Sequence, residues 1–195
     1  STQSGIIVPN PDNDDLFYIF TVGTNLTGGD PPDNTQGFRC YTVNMAANGG
    51  LGEVVPGSQI DLSDGKSQEW TEKVTAVRQD DCGDYWVISL VDNDNSTNGD
   101  YTDSGYDSLN WESPTNWGST FYAYRVSGAG VDLNPVKSKV PVDTDEIKGY
   151  LKVSPEGDFI ALANYDVNRS INADAYLFTL DLASGKIGEN DDNRL

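Results

Sequence analysis

The sequence predicts an all-β protein built from β-propeller blades, and three observations carry that expectation. The apolar segments are short, rich in aromatic and β-branched residues, and bounded by Gly, Pro, Asn and Asp. No stretch carries a convincing apolar stripe at helical period; the one candidate, 143–151, is too short to hold one. The same strand unit also recurs three times along the chain.

The strands expected from this pattern are 16–22, 38–43, 74–78, 85–91, 121–126, 151–153, 159–163 and 176–182. One element of the repeat is an acidic residue leading into an aromatic-rich strand: Asp15-Leu-Phe-Tyr-Ile-Phe-Thr, Asp84-Tyr-Trp-Val-Ile-Ser-Leu and Asp158-Phe-Ile-Ala-Leu-Ala-Asn. These recur at intervals of 69 and 74 residues. The next element is Phe38-Arg-Cys-Tyr-Thr-Val-Asn, Phe121-Tyr-Ala-Tyr-Arg-Val-Ser-Gly and Ala175-Tyr-Leu-Phe-Thr-Leu-Asp-Leu-Ala-Ser-Gly-Lys, a strand that runs into a turn. A further strand precedes the second and third copies, at Lys73-Val-Thr-Ala-Val-Arg and Tyr150-Leu-Lys-Val-Ser. Segments 54–62 and 136–142 supply the connecting strand that closes a blade.

A four-stranded twisted sheet cannot cover both of its faces, so repeats of this kind pack face to face around a channel. The repeat cores lie near 15–44, 73–127 and 149–187, giving about three blades in one domain over 1–195. Propellers close with roughly four to eight blades, so the expectation is a partial propeller belonging to something larger. A small β-sandwich with coincidental repeats is the alternative.

Composition narrows the chemistry. The 195 residues hold 12 Lys and Arg against 31 Asp and Glu, a net charge of −19, with no histidine. Nucleic acid is therefore not an expected partner, because phosphate binding needs clustered cations. Without imidazole there is no Ser-His-Asp triad and no His-ligated metal. No apolar run reaches the length of a membrane span. The opening Ser-Thr-Gln-Ser-Gly reads as a processed end or an excised domain. Cys40 and Cys82 fit neither a zinc site nor a Cys-x-x-Cys motif, and are read as one disulfide or two buried thiols.

Ser154-Pro-Glu-Gly-Asp-Phe-Ile-Ala, followed by Leu177-Phe-Thr-Leu-Asp-Leu-Ala-Ser-Gly-Lys, resembles the paired signature of WD-like and Tol-type propellers. A longer ordered set carries a more specific resemblance: Ile7-Val-Pro-Asn-Pro, Phe17-Tyr-Ile-Phe-Thr, Tyr41-Thr-Val-Asn-Met with Asn48-Gly-Gly-Leu-Gly-Glu-Val, Glu72-Lys-Val-Thr-Ala-Val, Asp84-Tyr-Trp-Val-Ile, Phe121-Tyr-Ala-Tyr-Arg-Val and Gly149-Tyr-Leu-Lys-Val-Ser-Pro-Glu-Gly. It resembles the N-terminal β-propeller region of gliding-motility-associated surface proteins of Bacteroidetes, exported by the type IX secretion system and ending in a type B sorting domain. The resemblance runs from near residue 2 to about residue 187. It implies a secreted or surface-attached module serving adhesion, recognition or scaffolding, and it brings no catalytic residues.

The chain departs from that pattern by an insertion of roughly 25 residues, from 92 to 119. Asp92, Asp94, Ser96, Asp100 and Asp103 place oxygen side chains in an EF-hand-like register, and calcium takes six to eight oxygen ligands. Position 6 is Thr97 rather than Gly and position 12 is Asp103 rather than Glu, and clusters of this composition are commonly solvated turns. Tyr101, Tyr106, Trp111 and Trp117 stand among Ser, Asn and Gly, a composition that suits a glycan or protein contact. Packing of a long loop onto its sheet is the reading favoured for the same aromatics, since an insertion of this length is costly to order without internal packing. Asn25, Asn95 and Asn168 begin N-glycosylation sequons, and Asp107-Ser108-Leu109 matches a short bacterial O-glycosylation pattern.

The expected function is accordingly a non-catalytic, secreted or cell-surface propeller module, with other blades or domains as partners and Ca²⁺ as its one candidate cofactor. A propeller glycosidase or lyase working through paired carboxylates is the enzymatic alternative. A purely structural, calcium-stabilised repeat is the third reading.

Overall fold

The computed structural model describes residues 5–23, 37–65, 70–79, 83–92, 119–140, 149–164 and 175–194, with the side chains of 92 and 189–194 outside that description. These residues form three antiparallel sheets, each a meander of strands consecutive in the chain. The first sheet is β1 (Gly5–Asn10), β2 (Asn13–Val22), β3 (Phe38–Asn44) and β4 (Glu53–Val54), with β5 (Ile60–Asp61) also pairing β3. The second is β6 (Trp70–Arg78), β7 (Tyr85–Asp92), β8 (Ser119–Ser127) and β10 (Val136–Val140), with β9 (Gly130–Val131) beside β8. The third is β11 (Gly149–Val153), β12 (Phe159–Asn164), β13 (Ala175–Asp181) and β14 (Lys186–Arg194).

Period-two patterning stacks the sheets in chain order. Side chains alternate across a strand, so one central sheet can feed two cores. In the second sheet Val87, Val91, Tyr122, Tyr124 and Val126 join a cluster with Val8, Phe20, Val22, Phe38 and Leu62 of the first. Their neighbours Trp86, Ile88, Leu90, Phe121 and Ala123 join Leu151, Ile160, Leu162, Phe178 and Leu180 of the third. The opening strands β1, β6 and β11 lie side by side, each against the next. Both faces of the second sheet are buried, so the fold has three layers where a sandwich has two.

Aromatic packing is densest between the first two sheets. The Phe38 ring stacks on Trp70 at 5.1 Å, Trp70 meets Tyr122 at 5.0 Å, and Phe38 lies 5.8 Å from Phe20. Each such side chain contributes about 1.5–3 kcal/mol by leaving water. Between the second and third sheets Phe121 meets Phe178 edge-on at 5.1 Å, and the Trp86 Nε1–H donates to the Leu182 carbonyl at 2.7 Å.

Every expected strand is present, most of them longer than expected, and the differences have physical causes. β1 and β14 are strands that the apolar pattern did not mark: β1 contains Pro9, and β14 reads Lys-Ile-Gly-Glu-Asn-Asp-Asp-Asn-Arg. Both are edge strands, held by backbone bonds to β2 and β13 and needing few apolar side chains. The connecting strand expected over 54–62 is split into β4 and β5 by the turn through Pro56 and Gly57, where φ is +74°. β6 begins at Trp70 rather than 74, and the short helix candidate ends in β11, with 143–148 outside the described residues.

Asparagine and aspartate side chains close many of the turns. Asn10, Asn13, Asn44, Asp61, Asp132 and Asp181 each accept, through a side-chain oxygen, the backbone N–H two residues ahead. The carboxyl of Asp132 is held below its ordinary range by the backbone and side chain of Asn134, and that of Asp181 by the Ser184 hydroxyl and the Ala183 N–H. Hydrogen bonds from Ser63, first its side chain, do the same for Asp61. These turns are therefore fully capped above the unfolded carboxylate pKa near 4 and lose that contribution as pH falls through the lowered values.

Candidate functional site

Strand registers place the strand ends that flank 24–36, 93–118, 141–148 and 165–174 at one rim of the stack. Val22 pairs with Phe38, so 24–36 leaves and returns at one end of the first sheet. Asp92 pairs with Ser119, and Val140 with the same Ser119, so 93–118 and 141–148 depart from the matching end of the second. Ala163 pairs with Ala175 and Gly149 with Asn164, so 165–174 does likewise in the third. The stack of Phe38 on Trp70 and the contact of Lys73 with Asn164 show that these three ends lie on the same side. The 93–118 segment carries five acids and no base.

The opposite rim is built of short, tied turns. Asn10 Nδ2 donates to the Tyr18 hydroxyl at 2.9 Å and to the Gly128 carbonyl at 3.3 Å, joining the first sheet to the second. Gln79 Nε2 reaches the Ala183 carbonyl at 3.1 Å, joining the second to the third. The Ser154-Pro-Glu-Gly-Asp turn is closed by the Gly157 N–H on the Ser154 carbonyl at 3.0 Å and by the Ser154 hydroxyl on Asp158 at 3.0 Å. The Arg125 guanidinium holds the buried Asp84 at 2.6 Å on this same side.

Of the expected calcium ligands, Asp92 is the last residue of β7; its side chain, and Asp94, Ser96, Asp100 and Asp103, lie outside the described residues. So do Tyr101, Tyr106, Trp111 and Trp117. Asp92 and Ser119, expected at the limits of the insertion, are paired strand residues, which narrows the insertion to 93–118. Among the described residues no group of three or more Asp, Glu or Cys side chains is arranged to hold a metal. The buried carboxyls of the described residues are Glu72 and Asp84. The register of β6 with β7 sets them at opposite ends of the second sheet, about 20 Å apart, so they do not form a glycosidase pair.

The described side chains at the long-segment rim include a polar cluster that the sequence pattern did not mark. Trp70 opposes Val91 and Val74 opposes Ser89, so Thr71, Glu72 and Lys73 together face Leu90 alone in a bulge of β6. The Thr71 hydroxyl donates to the Leu90 carbonyl at 3.2 Å and the Ser89 hydroxyl to the Lys73 carbonyl at 2.8 Å. Glu72 and Lys73 are 1% and 0% exposed. Lys73 Nζ crosses to the third sheet and donates to Asn164 Oδ1 at 2.7 Å. A charged pair set between two core residues, Trp70 and Val74, was the available signal.

A second cluster straps the first sheet to the second. The Tyr124 hydroxyl donates to the Leu62 carbonyl at 2.6 Å and the Trp70 Nε1–H to the Ser63 carbonyl at 3.1 Å. Asp64, at φ +53°, accepts from Lys137 Nζ at 2.5 Å and from the Tyr122 hydroxyl at 3.4 Å. Burial, followed by the charge of Asp64, raises the Tyr124 phenol well above its usual value.

Cys40 is a buried free thiol rather than half of a disulfide, and Cys82 lies outside the described residues. Burial pushes the Cys40 thiol up to about 12. The folded chain keeps its proton where the unfolded chain releases it near 8.5, so this contribution to stability is lost as pH rises from about 8.5 towards about 12. In native protein at about pH 8, iodoacetamide leaves Cys40 unmodified, and in denaturant the same residue reacts promptly. Peptide mass mapping reads this directly, and rapid native labelling at Cys40 would contradict it.

No protein-family model matches the chain, and no curated protein matches it.

Proposed function

We propose that the three sheets are consecutive blades of a β-propeller, and that the module works outside the cell as a recognition or adhesion unit through its long-segment rim. One observation carries the proposal: a stack with side-by-side opening strands has the strand ends of its three longest connections on one rim and short hydrogen-bonded turns on the other. Binding surfaces are commonly built on connections presented by a rigid scaffold. Both outer faces of the stack support the blade reading. On the first sheet Ile7 and Val54 are exposed beside half-buried Phe17, Ile19, Tyr41 and Val43, and on the third Tyr150 is exposed next to Ala161 and Ala163. Such faces suit further sheets packed in the same manner. The candidate calcium ligands Asp92, Asp94, Ser96, Asp100 and Asp103, and the candidate contact aromatics Tyr101, Tyr106, Trp111 and Trp117, are part of the same proposal.

Because Asp92 and Ser119 are register partners, 93–118 can be replaced by Asn-Gly, the two-residue connection suited to a hairpin. The shortened protein is expected to melt within a few degrees of the parent and to lose binding to an array of immobilised glycans and extracellular-matrix proteins. Calcium is expected to raise the melting temperature of the parent alone, since a ligand of the native state stabilises it. Array binding that survives the replacement unchanged would remove the rim from the function.

A further inference from the structure

Lys73 and Asn164 make a contact that their chemistry allows to become a bond. Lys73 is among the largest fully buried side chains, on the opening strand of the second sheet, and its amine lies 2.7 Å from the carboxamide oxygen of Asn164, the last residue of β12 in the third. Gly149 makes the crossing feasible. A Cβ at that position would meet Lys73 Cε at 2.6 Å and collide with the Ala163 carbonyl, so only a residue without a side chain leaves the lysine its path.

We propose that Lys73 and Asn164 condense to an intramolecular amide that joins the second and third sheets covalently. The Nζ lone pair attacks Asn164 Cγ, the atom bonded to the oxygen that Nζ already touches, and the Nζ–Cγ bond forms as the Cγ–Nδ2 bond breaks. Nδ2 leaves as ammonia, taking the proton that Nζ gives up. No atom changes oxidation state, and no co-reactant is consumed. Holding the two groups together replaces a bimolecular encounter by a positioned one. The product exchanges a buried amine for a neutral amide, which interior packing accommodates at lower cost.

Intact mass measured on denatured protein tests this. The expected mass is that of the sequence less one ammonia, and proteolysis yields one branched peptide containing both Lys73 and Asn164. Lys73→Met and Asn164→Ala each restore the full mass and lower the melting temperature by on the order of 10 °C, as loss of a cross-link spanning a long loop does. A parent protein of full mass whose Lys73 and Asn164 peptides separate overturns the proposal, as does an ammonia loss that persists in Lys73→Met.

Discussion

Replacing Trp70 by Ala is expected to be among the most damaging single changes in the described residues, costing about 3–5 kcal/mol. The ring is 2% exposed and lies between Phe38 at 5.1 Å and Tyr122 at 5.0 Å, so its removal strands two aromatic neighbours from opposite sheets. Its Nε1–H also satisfies the Ser63 carbonyl at 3.1 Å, and a buried carbonyl left without that donor adds to the loss. For a chain of this length the melting temperature falls by on the order of 10 °C. Trp70→Phe separates the two contributions, keeping most of the packing and giving up the hydrogen bond at about 1–2 kcal/mol. Thermal and denaturant melts followed by circular dichroism measure both variants. A Trp70→Ala protein melting within about 2 °C of the parent would show that the strap at Ser63 is not part of the cooperative core.

Gly149→Ala is expected to cost about 3 kcal/mol although it adds one methyl group. At φ +153° the new Cβ is driven into the backbone carbonyl of Ala163, which the β11–β12 ladder holds in place. The other side is closed by Lys73 Cε, in the interior between two sheets. Gly128→Ala is the informative control. Its Cβ would meet the Asp12 carboxylate, which can rotate into solvent, and Asp12 Cβ at 2.8 Å, from which the exposed turn at 11–13 must give by a few tenths of an ångström, so the change is expected to cost about 1 kcal/mol. Denaturant midpoints for the two variants measure the difference. Equal midpoints would mean that β11 shifts freely on the third sheet, contrary to its registered pairing with β12.

The parts of the fold legible in the sequence are those where side chains do the work. Asp84-Tyr-Trp-Val-Ile-Ser-Leu shows its strand at once because Trp86, Ile88 and Leu90 feed one core while Val87 and Val91 feed the other. Where the backbone does the work the pattern is silent. β14 keeps Ile187 as its one buried apolar residue among the described side chains and is held by its ladder to β13, so nothing in Gly188-Glu-Asn-Asp-Asp announces a strand. The bulge at Thr71-Glu72-Lys73 is hidden for a different reason: three polar residues in sequence suggest a solvated approach to β6, yet folding buries all three. The insertion is visible as composition, but the rim on which its flanking strand ends lie is not. That position follows from which strand ends face the same way, a property of pairing between distant residues such as Val22 with Phe38 and Ala163 with Ala175.

The meander inside each sheet also bears on how the molecule is made. Every ladder in the three sheets joins strands close in the chain, so a sheet needs only its own stretch of polypeptide to form and need not wait for distant partners. Synthesis runs from the first sheet to the third, and the layers stack in that same order. The second sheet, growing from the ribosome, meets a face already laid down before it, and in turn becomes the template on which the third docks. Assembly can thus proceed by accretion in one direction, with the newest apolar face exposed only until its successor is made.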